Sequence, residues 1–255
     1  MITLRELFRR PLPNSAGVNS LILRTLMLPN VFLTRTEGSE SLAASESTPC
    51  IFAFNHNNVF ESLFVPALLM FLLGGRKVSF VIDWMFGHLP LIGWLMRKTD
   101  PVFVYSKPSC LWLIERWRPK NLRMDVPGAC CQRLDAGSCV GIFPEGRRNG
   151  DPVRLFRARP GVGHIALASG AAVIPVGIWF PASERLGRAP LAGRMVVRFG
   201  KPMRFDDMVD AYRASKVRGQ SLDSYRLAES VAGEVMFAIS GLCGKRYDHR
   251  LHHYE

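Results

Sequence analysis

A histidine followed five residues later by a carboxylate is a spacing suited to proton transfer, and His56 and Glu61 stand in that relation within FAFNHNNVFES. With a helix starting near Glu61, its carboxylate reaches back to one imidazole nitrogen. That contact fixes the tautomer and leaves the other nitrogen as a general base. A second segment, GIFPEGRRNGD, joins a strand-ending Pro144 to a Glu145-Gly146 turn and the adjacent guanidinium groups of Arg147 and Arg148. Gly146 removes a side chain where a ligand could approach, and guanidinium forks suit bidentate phosphate binding. Arg154, Arg157 and Arg159 follow, so five arginines lie between 147 and 159.

Both segments need rigid supports. β-rich runs at 50–54, 78–82, 101–105, 139–143, 172–178 and 195–199 alternate with helical patterns near 61–73, 88–97, 127–136 and 161–170. The alternation predicts an α/β fold, a mainly parallel sheet flanked by helices, with ligands outside the carboxyl ends of the strands. His56 and the Glu145-Gly146 turn both follow such strands. Apolar residues on one helical face over 222–242 predict a helix docked on the sheet. Another apolar set at near-helical spacing (Val18, Leu21, Ile22, Leu26, Leu28, Val31 and Phe32) predicts a helix within 16–34. Behind Arg5, Arg9 and Arg10, this N-terminal amphipathic segment fits a membrane surface with its cations towards the head groups, or a helix packed on the domain. The expected division is a helical, membrane-contacting segment at 1–40 and an α/β domain at 41–255.

The 255 residues carry 33 Lys plus Arg against 21 Asp plus Glu, a net charge of +12, and 48% are hydrophobic. This is the composition of a globular chain with an anionic partner: nucleic acid, an acidic membrane or a phosphorylated small molecule. The longest apolar run, residues 63–73, contains Pro66 and falls well short of the ~20 residues that cross a bilayer. It is apolar nearly all round, which means buried core or lipid contact. Glu6 and two prolines occupy the region where a signal peptide would have its apolar core, so the chain is expected to stay on the cytoplasmic side. The six cysteines show no CxxC pair and read as free thiols; His249, His252 and His253 read as a solvated tail, and no metal site is expected. GxSxG, HExxH and Walker motifs are missing, as are nucleic-acid signatures, which excludes nucleic acid as the expected partner.

Taken together, Asn55-His56 with Glu61, Phe143-Pro144-Glu145-Gly146 with Arg148, and Val173-Ile174-Pro175-Val176 resemble the lysophosphatidic acid acyltransferase, or PlsC-like glycerolipid acyltransferase, family. The order and spacing match over roughly residues 50–200, and FGHLPLIGWLMRKTDPVFV lies where that family has its second motif block. The resemblance implies transfer of a fatty acyl chain from acyl-CoA or acyl-carrier protein, as cosubstrate and without a cofactor, to the hydroxyl of a lysophospholipid-type acceptor. The acceptor it points to first is 1-acylglycerol-3-phosphate. It implies His56 as general base, Glu61 as its orienting partner, and Gly146 and Arg148 at the acceptor phosphate, with Glu145 shaping that site and Arg147 beside it. It also implies a peripheral enzyme on an anionic membrane.

Three motifs depart from the family pattern. The first motif usually ends in Asp, and Glu61 is one methylene longer, so the helix start has to sit further from the imidazole. Arg147 and Asn149 replace the usual hydroxyl residues after FPEG. The second block normally closes with an Arg after its strand; here Tyr105, Ser106 and Lys107 follow, making Lys107 the candidate replacement. These changes leave two further readings open: acyl transfer to a non-glycerophosphate acceptor such as a lyso-aminolipid, and a catalytically silent lipid-binding protein on a membrane surface.

Overall fold

Side chains of a strand alternate between the two faces of its sheet. In IFAF, residues 51–54, Phe52 and Phe54 join one apolar cluster, Ile51 and Ala53 join another, and all four are fully buried. A strand buried on both sides requires helices on both faces of the sheet.

The computed structural model describes residues 2–43, 48–105, 108, 112–118 and 125–249. In chain order the elements are α1 (Leu4–Arg9), α2 (Gly17–Leu33), β1 (Thr34–Glu37), β2 (Ile51–Phe54), α3 (Val59–Leu72), β3 (Val78–Asp83), α4 (Pro90–Arg97), β4 (Val102–Val104), α5 (Trp112–Glu115), α6 (Val126–Asp135), β5 (Cys139–Ile142), α7 (Gly161–Ser169), β6 (Val173–Trp179), α8 (Ala182–Leu186), β7 (Met195–Phe199), α9 (Asp206–Val217) and α10 (Ser221–Cys243). The strands form one sheet in the order β1-β7-β6-β2-β5-β3-β4. Every neighbouring pair is parallel except β6 with β7. This is the expected mainly parallel sheet flanked by helices, and it puts β2 between β5 and β6.

One face is covered by α1, α2 and α3, where Leu7, Met27, Leu68 and Phe71 pack on Phe52, Phe54 and Val176. On the other, Leu134 of α6, Ile165 of α7, Val209 of α9 and Val235 of α10 pack on Ile51, Val140 and Val173. Each such side chain contributes about 1.5–3 kcal/mol by leaving water. Helix α7 crosses α10 so closely that a Cβ on Gly163 would lie 1.9 Å from the Ala228 carbonyl oxygen. Only glycine allows that approach.

The structure decides one expectation that the sequence left open and corrects others. The apolar run after Glu61 is core, with Val65, Ala67, Leu68, Leu69 and Phe71 buried in α3. Of the three N-terminal cations expected to face head groups, Arg10 turns inward instead. Its Nη2 donates to the Leu72 carbonyl at 3.0 Å and its guanidinium covers the Phe71 ring. Strand β1 (TRTE) escaped prediction because it is polar; it lies at the sheet edge and pairs with β7 alone. The helices α1, α5, α8 and α9 were also not predicted. Helix α1 is fixed by a capping box in which Thr3 and Glu6 satisfy each other's backbone N–H groups. Among the described residues, no helix is long and apolar enough to cross a membrane.

Candidate active site

Strands β2 and β5 run side by side with Ala53 opposite Ile142, so the segments that follow them leave the same edge of the sheet together. On the opposite side of β2, Phe54 pairs with Val176 of β6. Past Phe54 the pairing continues through a side chain. The Asn55 amide donates to the Ile178 carbonyl at 2.9 Å and accepts from the Ile178 N–H at 2.7 Å. A buried amide thus replaces a peptide group and holds the start of the loop beside β6.

The next residue is positioned by the other motif. The His56 N–H donates to Glu145 Oε1 at 3.0 Å, and its carbonyl accepts from the Asn149 N–H at 2.7 Å. Its ring stacks obliquely on Phe143 with centroids 4.4 Å apart. Glu145 is buried, and its second oxygen accepts from Asn149 Nδ2 at 2.8 Å and from the Phe156 N–H at 2.9 Å. The Phe-Pro-Glu-Gly turn therefore fixes the histidine backbone, with Glu145 as the fastener.

The imidazole Nδ1 lies 2.8 Å from Glu61 Oε1; the Glu61 side chain has no exposed surface, and that of His56 is 15% exposed. Glu61 stands at the third position of α3, where Asn58 is the N-cap. Asn58 Oδ1 accepts from the Glu61 N–H at 3.1 Å, and Glu61 Oε1 accepts from the Asn58 N–H at 3.3 Å. This capping box requires a side chain long enough to reach back over the helix start, which is where the extra methylene of Glu is used. The same carboxylate accepts from the Asn57 N–H, and its Oε2 accepts from Asn57 Nδ2 at 2.9 Å. A carboxylate that only accepts makes Nδ1 the donor and leaves Nε2 with a lone pair. Nε2 has no protein partner among the described residues.

Gly146 has φ +65°, a conformation that favours glycine, and a Cβ there would lie 2.6 Å from Arg159 Cδ. The space left by Gly146, expected to admit a ligand, is filled by the Arg159 stem. Arg147 lies over the Phe156 ring, 4.1 Å from its centroid. Arg147, Arg157 and Arg159 line a cleft of about 360 Å³ together with Glu145, Phe156 and His249. Arg157 is also paired with Glu229 at 2.5 Å. Arg148 is exposed and does not line the cleft, and Lys107 lies outside the described residues. His252 and His253 do too.

Two residues at the centre of this arrangement were not singled out from the sequence. Asn57 is adjacent to His56 in an Asn-His-Asn-Asn run, a signal that could have been used. Lys245 has no local signal, yet its Nζ donates to Asn57 Oδ1 at 2.6 Å across 188 positions. Burial holds the Lys245 ammonium pKa below the ordinary lysine value, opposed by Cys243, Glu145, Glu61 and Asp151.

Comparison with known proteins bears on the same region. The acyltransferase family model matches residues 34–179, which contain both motifs and the strands that carry them. The chain is 28% identical over 140 residues to the 1-acyl-sn-glycerol-3-phosphate acyltransferase LPAT1, chloroplastic, of Arabidopsis thaliana, covering 55% of this chain and 34% of that protein. It is 27% identical over 145 residues to the 1-acyl-sn-glycerol-3-phosphate acyltransferase BAT2, chloroplastic, of Brassica napus, covering 57% and 37% respectively. The chain thus spans about a third of the length of these curated relatives. The crystal structure of the 1-acyl-sn-glycerophosphate acyltransferase PlsC from Thermotoga maritima superimposes with a TM-score of 0.53 at 17% identity, over 85% of this chain and 79% of that one. That likeness concerns the fold. With the family model spanning more than half its length, the chain belongs to the acyltransferase family, as the resemblance of its motifs implied.

Proposed function

We propose that the protein transfers a fatty acyl group from a thioester, acyl-CoA or acyl-carrier protein, to the hydroxyl of a lysophospholipid-type acceptor, with 1-acylglycerol-3-phosphate as the first candidate. The observation that carries this reading is the 2.8 Å contact of His56 Nδ1 with a fully buried Glu61, which leaves Nε2 without a partner among the described residues at the carboxyl edge of the sheet. Nε2 takes the acceptor proton as the hydroxyl oxygen attacks the thioester carbonyl. The C–S bond breaks, and the departing thiolate receives the proton from the imidazolium. A thiolate is a good leaving group, so no acyl-enzyme is required. A base positioned in this way contributes ~10²–10⁴-fold in rate.

The Arg147, Arg157 and Arg159 cleft supports an acceptor carrying phosphate, since guanidinium groups bind phosphate oxygens bidentately. Residues 1–40 are read as the segment that meets an anionic membrane, from the cytoplasmic side and without crossing it. The position of Arg148 outside the cleft favours a second reading in which the acceptor headgroup differs from glycerol phosphate.

The test is acyl transfer by the purified protein, with a panel of lysolipid acceptors and both donor types. The wild type is expected to turn over 1-acylglycerol-3-phosphate, and His56→Ala to lose the activity. Undiminished transfer by a folded His56→Ala protein would remove the general-base reading.

A further inference from the structure

We propose that Lys245 is a positioning residue for the His56–Glu61 pair, acting through the Asn57 side chain; the inference rests on the general-base reading above. Lys245 lies beyond the residues matched by the family model, just after α10. Gly244 ends that helix in the left-handed conformation, with φ +73°, and redirects the chain. The next residues are held against the Phe-Pro-Glu-Gly loop. The Arg246 N–H donates to the Val153 carbonyl at 2.7 Å, and its own carbonyl accepts from the Leu155 N–H at 2.9 Å. Immediately before this doubly anchored residue, Lys245 is buried at 7% exposure, with its Nζ on Asn57.

The contacts define an ordered relay. An ammonium can only donate and an ionised carboxylate can only accept. Set between Lys245 Nζ at 2.6 Å and Glu61 Oε2 at 2.9 Å, the Asn57 amide has one orientation, with oxygen to the lysine and nitrogen to the glutamate. That leaves Oε1 of Glu61 for the imidazole. Asn57 receives a weaker contact from Asn55 Nδ2 at 3.3 Å and itself reaches the Ile178 carbonyl at 3.2 Å, so the relay is anchored to β6 as well.

Charge gives Lys245 a second effect. Two carboxylates, Glu61 and Glu145, are buried around His56, at 0% and 2% exposure. The groups facing Lys245 are these two, Cys243 from the end of α10 and Asp151 from the loop after the turn. With the ammonium present, the buried charges of Glu61, Glu145 and Lys245 balance when His56 takes a proton, and carry one negative charge when it does not. Without the ammonium, an excess negative charge remains in both states and draws a proton onto the imidazole before substrate arrives.

The experiment compares wild type, Lys245→Met, Lys245→Arg and His56→Ala in the acyl-transfer assay with acyl-CoA and 1-acylglycerol-3-phosphate across pH, alongside thermal midpoints. Lys245→Met is expected to lower kcat about tenfold with KM nearly unchanged, and to move the acid limb of the kcat/KM profile upward by about half a pH unit or more. Lys245→Arg, which keeps donor and charge, is expected to restore most of both. Wild-type kcat and acid limb in Lys245→Met overturn the proposal. So does a loss that follows the thermal midpoint alone and is not recovered by arginine. An inactive His56→Ala beside an unaffected Lys245→Met overturns only the role of Lys245, whereas an active His56→Ala overturns the underlying reading.

Discussion

The carboxylate of Glu61 meets the imidazole Nδ1 of His56 at 2.8 Å and also closes the first turn of the helix it stands on. One side chain therefore sets both the tautomer of the imidazole and the start of α3. The distance between the imidazole and the helix is fixed by capping geometry. A longer acid than the usual Asp of this motif fits because it occupies the third helical position and reaches back.

Replacing Glu61 by Gln should reduce both activity and stability. The amide keeps one oxygen, so its NH2 would face either the N–H groups of Asn57 and Asn58 or Asn57 Nδ2, donors that all now donate to the carboxylate. We expect kcat to fall by about 10²-fold or more and unfolding free energy by about 1–3 kcal/mol. Steady-state kinetics and urea denaturation measure the two. A folded Glu61→Gln protein with full kcat would remove the acid from the mechanism.

The arginines after the turn should separate by position. Arg147→Ala and Arg159→Ala are expected to raise KM for a phosphate-bearing acceptor about tenfold or more, the effect of losing a charge-assisted hydrogen bond. KM for the thioester donor should hardly move. Arg148→Ala, outside the cleft, should change the acceptor KM about twofold or less. The reverse ranking would place the phosphate on the other side of the turn.

The N-terminal helices expose Phe8, Val18, Leu21 and Phe32, beside the exposed Arg5 and Arg9. Reversing Arg5 and Arg9 to Glu should weaken co-sedimentation with anionic vesicles at low salt by about tenfold or more, at ~1 kcal/mol per cation near the surface. Leu21→Glu should weaken it at high salt as well, since apolar burial is not screened. Undiminished binding by both variants would locate membrane contact elsewhere. Arg10 is a poor choice for this test because its loss also removes its hydrogen bond to α3.

A separate pH effect is expected between α7 and α9, where His164 Nδ1 lies 2.9 Å from the Tyr212 hydroxyl. Burial pulls the His164 pKa below 6.5, Lys216 adds to the shift and Asp125 opposes it. Below about pH 6.5 the unfolded chain therefore binds more protons than the folded one, and stability is lost as pH falls through that window. Thermal midpoints measured at about pH 7 and about pH 5 should fall less in His164→Gln than in the wild type. Equal falls would show that His164 does not contribute to the acid sensitivity.

What could be read in advance followed from local rules. The six runs from residue 50 onward carry β-branched and aromatic residues in short bursts, and each is a strand, with bounds shifted by a residue or so. His56, Glu61 and Glu145 were found because their partners are close in sequence or sit in a recognisable turn. Strand β1 was missed because its partner β7 is some 160 positions away and its own residues are polar. The packing of Arg159 against Gly146 was not legible either, since only the folded loop shows that one makes room for the other. Asn57 stands in a polar run beside His56 that could have marked it, whereas Lys245 reaches it across 188 positions and nothing in its own neighbourhood announces the contact.

The short bridge between Arg246 and the 153–155 loop has a consequence for synthesis. A nascent chain that has emerged through residue 200 already carries both motifs and every strand of the sheet. It lacks α10, whose side chains cover Ile51, Val140 and Val173, and it lacks the lysine that orients Asn57. The contact between Lys245 and Asn57 beside the buried carboxylates therefore forms only after α10 has left the ribosome and packed on the sheet.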